Sequence, residues 1–192
     1  MALTTKLEAV NIMISVIGES PVNTLSGTSV PVTVTQAVHA LDETSKAIQS
    51  EGWHFNTEYD YPLVPDASTS KITLPLNTLK VALDPEIYTD SDPVQRGTKL
   101  YDRKNHRETW TKDLKAIITF ELDFEELPEQ FRHYIAVKSA RIFAARFLGS
   151  REIEGFALRD EIEAKARAIE SDSENADRTI FDNYSVLRVL DR

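Results

Sequence analysis

Asp123, Glu125, Glu126 and Glu129 fall within seven consecutive positions, and carboxylates at that density are the raw material of glycosidic-bond hydrolysis. That chemistry needs two carboxyl groups flanking a sugar cleft, one of them with its pKa raised by apolar surroundings. Trp110, Phe120 and Phe124 are the aromatic side chains that would supply such surroundings. The same acids also stand at the start of an expected helix, where negative charge complements the helix dipole. Acidic residues at helix starts are common, so the capping role outweighs the catalytic one.

No other constellation points to chemistry. His39, His54, His106 and His133 lack the spacing of a paired metal ligand such as His-Glu-x-x-His. The absence of cysteine removes disulfides, thiolate nucleophiles and cysteine-based zinc sites. There is no Gly-x-Ser-x-Gly elbow, no Gly-x-x-x-x-Gly-Lys loop and no Gly-x-Gly-x-x-Gly turn. Six glycines leave little material for a backbone phosphate cradle. The expectation is a protein without catalytic residues, metal site or cofactor.

Charge narrows the partners. The net charge of −9 argues against tight binding to phosphate backbones, which usually shows as a basic face. The same balance suits the wall of a channel through which DNA must slide without sticking. One expected helix is locally basic: Arg132, Lys138, Arg141 and Arg146 stand against Glu129. They could meet an acidic neighbour or passing DNA, but pairing with Glu154, Glu161 and Glu163 of the following helix is the preferred reading for each. No apolar run approaches the roughly 20 residues that span a bilayer. Met1 to Lys6 lacks the regions of a signal peptide, so a cytoplasmic site of synthesis and retention is expected.

The elements that would position these residues follow from periodicity. Thr5 and Glu8 form a capping-box pattern ahead of Leu7, Val10, Ile14 and Ile17, and Gly18 stops the first helix. A second helix is expected from about Val34 to Glu51, with Ala37, Val38, Leu41, Ala47 and Ile48 inward and Gly52 at its end; the β-branched run from Ser29 to Thr35 could equally form a short strand. After Gly52 the period becomes two: Trp53, Phe55 and Thr57 alternate with His54 and Asn56. Trp53 and Phe55 are expected to anchor the β region to the helices. Further strands are expected at Ile72–Leu74, Leu79–Leu83, Lys99–Tyr101 and Ile117–Leu122, punctuated by prolines that belong at strand ends and edges.

Pro128 opens a third helix, with Phe131, Tyr134, Ile135, Val137, Ala140, Phe143, Ala144 and Phe147 inward and Gly149 at its end. A fourth runs from about Glu152 to Glu170, with Ile153, Phe156, Ala157, Ile162, Ala166 and Ile169 inward. Ser171 to Asp177 reads as a loop. The fold class is α+β: a four-helix bundle with an inserted small antiparallel β domain and a C-terminal arm. Residues 1–52 and 126–176 make the discontinuous helical domain, 53–125 the β insertion, and 177–192 the arm. The arm turns apolar again, and Tyr184, Val186, Leu187, Val189 and Leu190 are the candidate subunit-interface residues, either folding back or docking on a neighbour.

Three stretches carry a family resemblance. The first runs from Ala9-Val10-Asn11 through Ile17-Gly18-Glu19-Ser20-Pro21-Val22-Asn23-Thr24-Leu25. The second is Gln49-Ser50-Glu51-Gly52-Trp53-His54-Phe55-Asn56. The third is Leu127-Pro128-Glu129-Gln130-Phe131-Arg132-His133-Tyr134-Ile135, continuing to Arg146-Phe147-Leu148-Gly149, with a shorter echo at Tyr101-Asp102-Arg103. In this order they resemble the tail tubular protein A family of T7-like podoviruses, the head-to-tail adaptor. The resemblance implies a structural role: a homo-oligomeric, dodecameric ring in the virion tail, between portal protein and tail nozzle protein. Phage DNA would pass through its lumen without sequence-specific binding and without a membrane partner. The alternative that keeps the acidic cluster in play is a virion-associated glycan hydrolase acting on host capsule polysaccharide.

Overall fold

The computed structural model describes residues 3–27, 30–84, 86–148 and 151–175. It contains four α-helices and small antiparallel sheets, so the protein is α+β. Two compact units divide the chain. One takes the described residues up to Ser45 and those from Asp123 onward; the other is Lys46–Leu122.

The first unit holds α1 (Lys6–Val16), most of α2 (Val32–Gln49), α3 (Glu129–Leu148) and α4 (Arg151–Asn175). Helix α1 begins as its residues dictate. Thr5 accepts from the Glu8 amide while the Glu8 carboxylate accepts from the Thr5 amide at 2.7 Å. It ends in a Schellman motif: the Glu19 amide donates to the Ile14 carbonyl and the Gly18 amide to Ser15, with Gly18 at φ 83°. The β-branched start of α2 forms helix, not strand, from Val32, because the Pro31 carbonyl accepts from the Val34 and Thr35 amides. Buried Ala9, Val10, Met13 and Ile14 of α1 and Phe131, Tyr134, Ile135 and Phe143 of α3 form the core, α1 packing against α3 and α3 against α4. Each large side chain contributes roughly 1.5–3 kcal/mol by leaving water.

Helix α4 departs from the sequence reading in two ways. It continues through Asn175, so Ser171–Asn175 is helical where a loop was expected. Its inward face is also different: Ala164 and Ala168 are buried, whereas Ile162 (60%) and Ile169 (44%) are exposed, and so is Ala166. Small side chains let α4 approach α3 closely, and the larger branched residues, roughly half a turn away, are left outside.

The second unit holds the last turn of α2 and five strands: β1 (Thr57–Leu63), β2 (Thr78–Leu83), β3 (Pro93–Arg96), β4 (Lys99–Asp102) and β5 (Leu114–Phe120). Strands β1, β5 and β2 form an antiparallel sheet with β5 in the centre; β3 and β4 form a two-stranded ribbon. Along β5, Leu114, Ala116, Ile118 and Phe120 point inward at period two, joining Leu63, Ile72, Leu74, Leu83, Leu100 and Trp110 in one core. Pro62 lies on edge strand β1 and Pro93 opens β3, the two positions proline tolerates.

Three strand expectations change. Residues His54–Asn56 form a turn of 3₁₀ helix, not a strand, because the buried Asn56 amide bends the chain back, accepting from the Trp53 amide at 2.9 Å. Ile72 and Leu74 are buried, but the segment pairs only through isolated bridges at Lys71 and Thr73. The last strand starts at Leu114 and stops at Phe120, rather than running from Ile117 to Leu122. Strands β1 and β3 were not expected from the sequence: β1 is mostly polar and broken by a register shift where Asp60 takes φ 55°.

Candidate functional site

The residues that could do chemistry are spent on holding backbone. Glu129 accepts from the Thr4 amide at 2.8 Å and from the Thr4 hydroxyl at 2.5 Å, pinning the N-terminal segment to the start of α3. Glu126 accepts from the Asp123 amide at 3.2 Å in the one-turn 3₁₀ helix Phe124–Glu126. Glu125 and Glu126 are exposed rather than enclosed in a cleft. Trp110 and Phe120 are committed to the core of the second unit, and the Trp110 indole donates to the Leu100 carbonyl at 3.1 Å. Within the cluster, Glu126 closes a helical turn and Glu129 ties down the N-terminal segment.

The cations of α3 divide in the same way. Arg132 is only 5% exposed. Its guanidinium donates to the Leu127 carbonyl at 2.8 Å, to the Thr4 carbonyl at 2.9 Å and to the Glu125 carbonyl. A planar five-donor group suits a site where three carbonyls converge. It is unavailable to a neighbour or to DNA. Arg141 pairs with Glu161 of α4, the following helix, and Arg146 with Glu43 of α2 at 3.3 Å. Lys138 rests beside the Tyr134 ring.

The second motif stretch is a hub of amides. Gln49, at the end of α2, donates to the Leu122 carbonyl at 3.0 Å and accepts from the Leu122 amide at 2.8 Å. Asn56 donates to the carbonyls of Gln49 and Phe120. The Trp53 indole donates to the Ile48 carbonyl at 2.7 Å, so this ring fastens the helix end to the turn that follows. Gly52 (φ 85°) gives the reversal that brings these groups together. The first stretch has a matching device: Asn11 donates to the Val22 carbonyl and accepts from the Val22 amide, holding the connector after α1. Sequence reasoning singled out these stretches for their resemblance and missed these roles. Buried Asn and Gln beside helix stops were the available signal.

Asp102 is the most enclosed carboxylate of the second unit. Burial raises its pKa, but donation from the Asn105 side chain and from the amides of Asp92, Asn105 and Lys104 outweighs burial and holds it below the ordinary value. Asp66, in an exposed turn, is lowered to about 2 by the Ser68 hydroxyl and by the Thr69 and Ser68 amides and Thr69 hydroxyl. Both order loops. Among the described residues no group of three or more His, Asp or Glu converges as metal ligands do. No helix among them is long and apolar enough to cross a membrane.

What stays on the surface is of two kinds. The outer face of α4 carries Leu158, Ile162 and Ile169, and a groove of about 400 Å³ in the first unit is lined by Gln36, His39, Ala40, Glu43, Phe143, Arg146 and Phe147. The β3–β4 ribbon carries exposed cations. The expected interface residues Tyr184, Val186, Leu187, Val189 and Leu190 lie outside the described residues, as do Gly149 and the side chains of Ile153, Phe156 and Ala157. A family model described as "Tail tubular protein" matches residues 7–178. No curated protein matches the chain.

Proposed function

The chain belongs to the tail tubular protein family, structural components of the phage tail, and we propose that it forms the head-to-tail adaptor ring between portal and nozzle, through whose lumen DNA is ejected. The observation that carries this reading is the extent of the match, which runs through both compact units instead of selecting one. The motif residues support it, because Asn11, Gln49, Asn56 and Arg132 fasten backbone. A subunit that must hold its shape under the passage of DNA needs locks of this sort.

In this reading the helices form a four-helix bundle from residues 1–52 and 126–176, with 53–125 inserted between α2 and α3. Residues 177–192 form an arm that docks on the adjacent subunit through Tyr184, Val186, Leu187, Val189 and Leu190. The ring is a dodecamer, one face meeting the portal and the other the nozzle. A ring of more than two copies needs two different patches per subunit, and an arm with its receptor surface supplies such a pair. Electron microscopy of the purified protein, alone and mixed with portal protein, tests the proposal. Rings, or a collar of subunits seated on the portal, are expected. Monomers that neither close nor bind the portal would overturn it.

A further inference from the structure

The β3–β4 ribbon has an unusual tip. Gly97 (φ 60°) turns the chain so that Arg96 and Lys99 are directly opposite partners. Opposite residues of an antiparallel pair share a face, and like charges placed so are destabilising. Both are exposed, and neither is neutralised by a carboxylate of its own. The Arg96 guanidinium lies 3.5 Å above the Tyr101 ring. Lys99 approaches Glu108 only to 3.9 Å, and that carboxylate is already taken by Lys71 at 2.7 Å. Three cations thus converge on one acid: Lys71, then Lys99 and Arg96, all hold the Glu108 carboxyl below its ordinary pKa.

The surplus continues along the chain. From Arg96 to Arg107 there are five cations, Arg96, Lys99, Arg103, Lys104 and Arg107, all exposed, against the buried Asp102; Arg103 is already held by Asp92 at 2.7 Å, which leaves Arg96, Lys99 and Lys104 as the cations with no close carboxylate of their own. This is a row of positive charge on a protein whose net charge is −9. No large apolar side chain of the ribbon is exposed. Interfaces between proteins are usually centred on a desolvated aromatic or aliphatic anchor, which this surface lacks. Paired exposed cations, one of them a guanidinium stacked over an aromatic ring, instead fit phosphodiester oxygens.

We propose that the exposed face of the β3–β4 ribbon is a sequence-independent contact for the phosphate backbone of double-stranded DNA. This rests on the reading that DNA passes this subunit in the tail, but not on ring closure or copy number. The contact places charge, not base edges, against the duplex, so it guides without selecting. The acidic remainder of the chain keeps that contact weak and reversible.

The test is fluorescence anisotropy of a labelled duplex of about 20 base pairs with the full-length protein, at low and rising salt. If Arg96, Lys99 and Lys104 are engaged, log affinity falls against log salt with a slope of roughly −3. The double variant R96E/K99E should bind at least tenfold more weakly, with a slope shallower by about 2. The charge-matched pair R159E/R167E on α4 should behave as wild type, circular dichroism confirming that both variants are folded. Absence of salt-dependent binding by the wild type would overturn the proposal, as would equal loss in both variants. Displacement of the labelled duplex more effectively by poly-glutamate than by unlabelled duplex at equal charge would also overturn it, and would assign the ribbon to an acidic protein surface. Microscopy of the same preparation separates failure of the ring from failure of the ribbon.

Discussion

At the scale of single residues, the polar groups of this protein are decided by what they hold. Arg132 shows the difference most sharply. In sequence it is one cation among four on α3; in the structure it is a buried clamp on three carbonyls. Arg132→Met keeps much of the volume but leaves those carbonyls without a donor. A loss of about 2–4 kcal/mol is expected, read as a lower denaturant midpoint with unchanged m-value. A midpoint equal to wild type would show that the clamp contributes nothing. Asp102 gives a pH prediction with a definite sign. Its folded pKa lies below the ordinary carboxylate value of about 3.9. The stability it contributes is therefore fully present above that value and is lost as pH falls through the lower folded pKa. Carboxyl NMR titration should find an inflection below 3.9, and the stability gap between wild type and Asp102→Asn should narrow in the same acidic window. An inflection at or above the ordinary value would contradict the hydrogen-bond count at this site.

At the scale of elements, the ends of α1 were legible, whereas the end and the inward face of α4 were not. Thr5, Glu8 and Gly18 predict the limits of α1 because caps are local: each partner lies within six residues of the other. The face of α4 is not local. Both its alanines and its isoleucines recur at helical spacing, so periodicity alone admits two inward stripes. Close approach of α3 selects the alanines. Ala168→Leu, at a fully buried position, should cost about 1–3 kcal/mol by overpacking, while Ile162→Ser should change the stability of the isolated subunit by no more than about 0.5 kcal/mol. Thermal melts of the two variants at subunit concentrations below assembly decide between the stripes. The reverse ranking would restore Ile162 to the core. Among the strands, β2 was found nearly in place, whereas β5 was expected three residues too late, so that inward Leu114 and Ala116 fell outside the expected run. Strand β1 escaped notice because its pairing partner lies more than fifty residues away and it contributes mainly Leu63 to the core.

At the scale of the whole molecule, the family assignment, the charge and the two compact units bear on assembly. Deletion tests the arm proposed for residues 177–192. Removal of residues 178–192 should leave the far-ultraviolet circular dichroism per residue of the described helices essentially intact and abolish large assemblies in size-exclusion chromatography. A tail-less protein that still forms rings would refute the arm. The sequence by itself determined the class of the protein: α+β, helices flanking a strand-rich middle, and three ordered stretches that resemble one family. Those features are written in local spacing, composition and caps, each of which a short window contains. Only the tertiary structure decided that Arg132 is a clamp and not a docking cation, that Gln49 and Asn56 form one hub with β5, which stripe of α4 faces inward, and that exposed cations line up along β3 and β4 in an acidic chain. Each depends on segments far apart in sequence meeting in space, and burial, not residue type, then sets whether a polar side chain holds the fold or faces a partner.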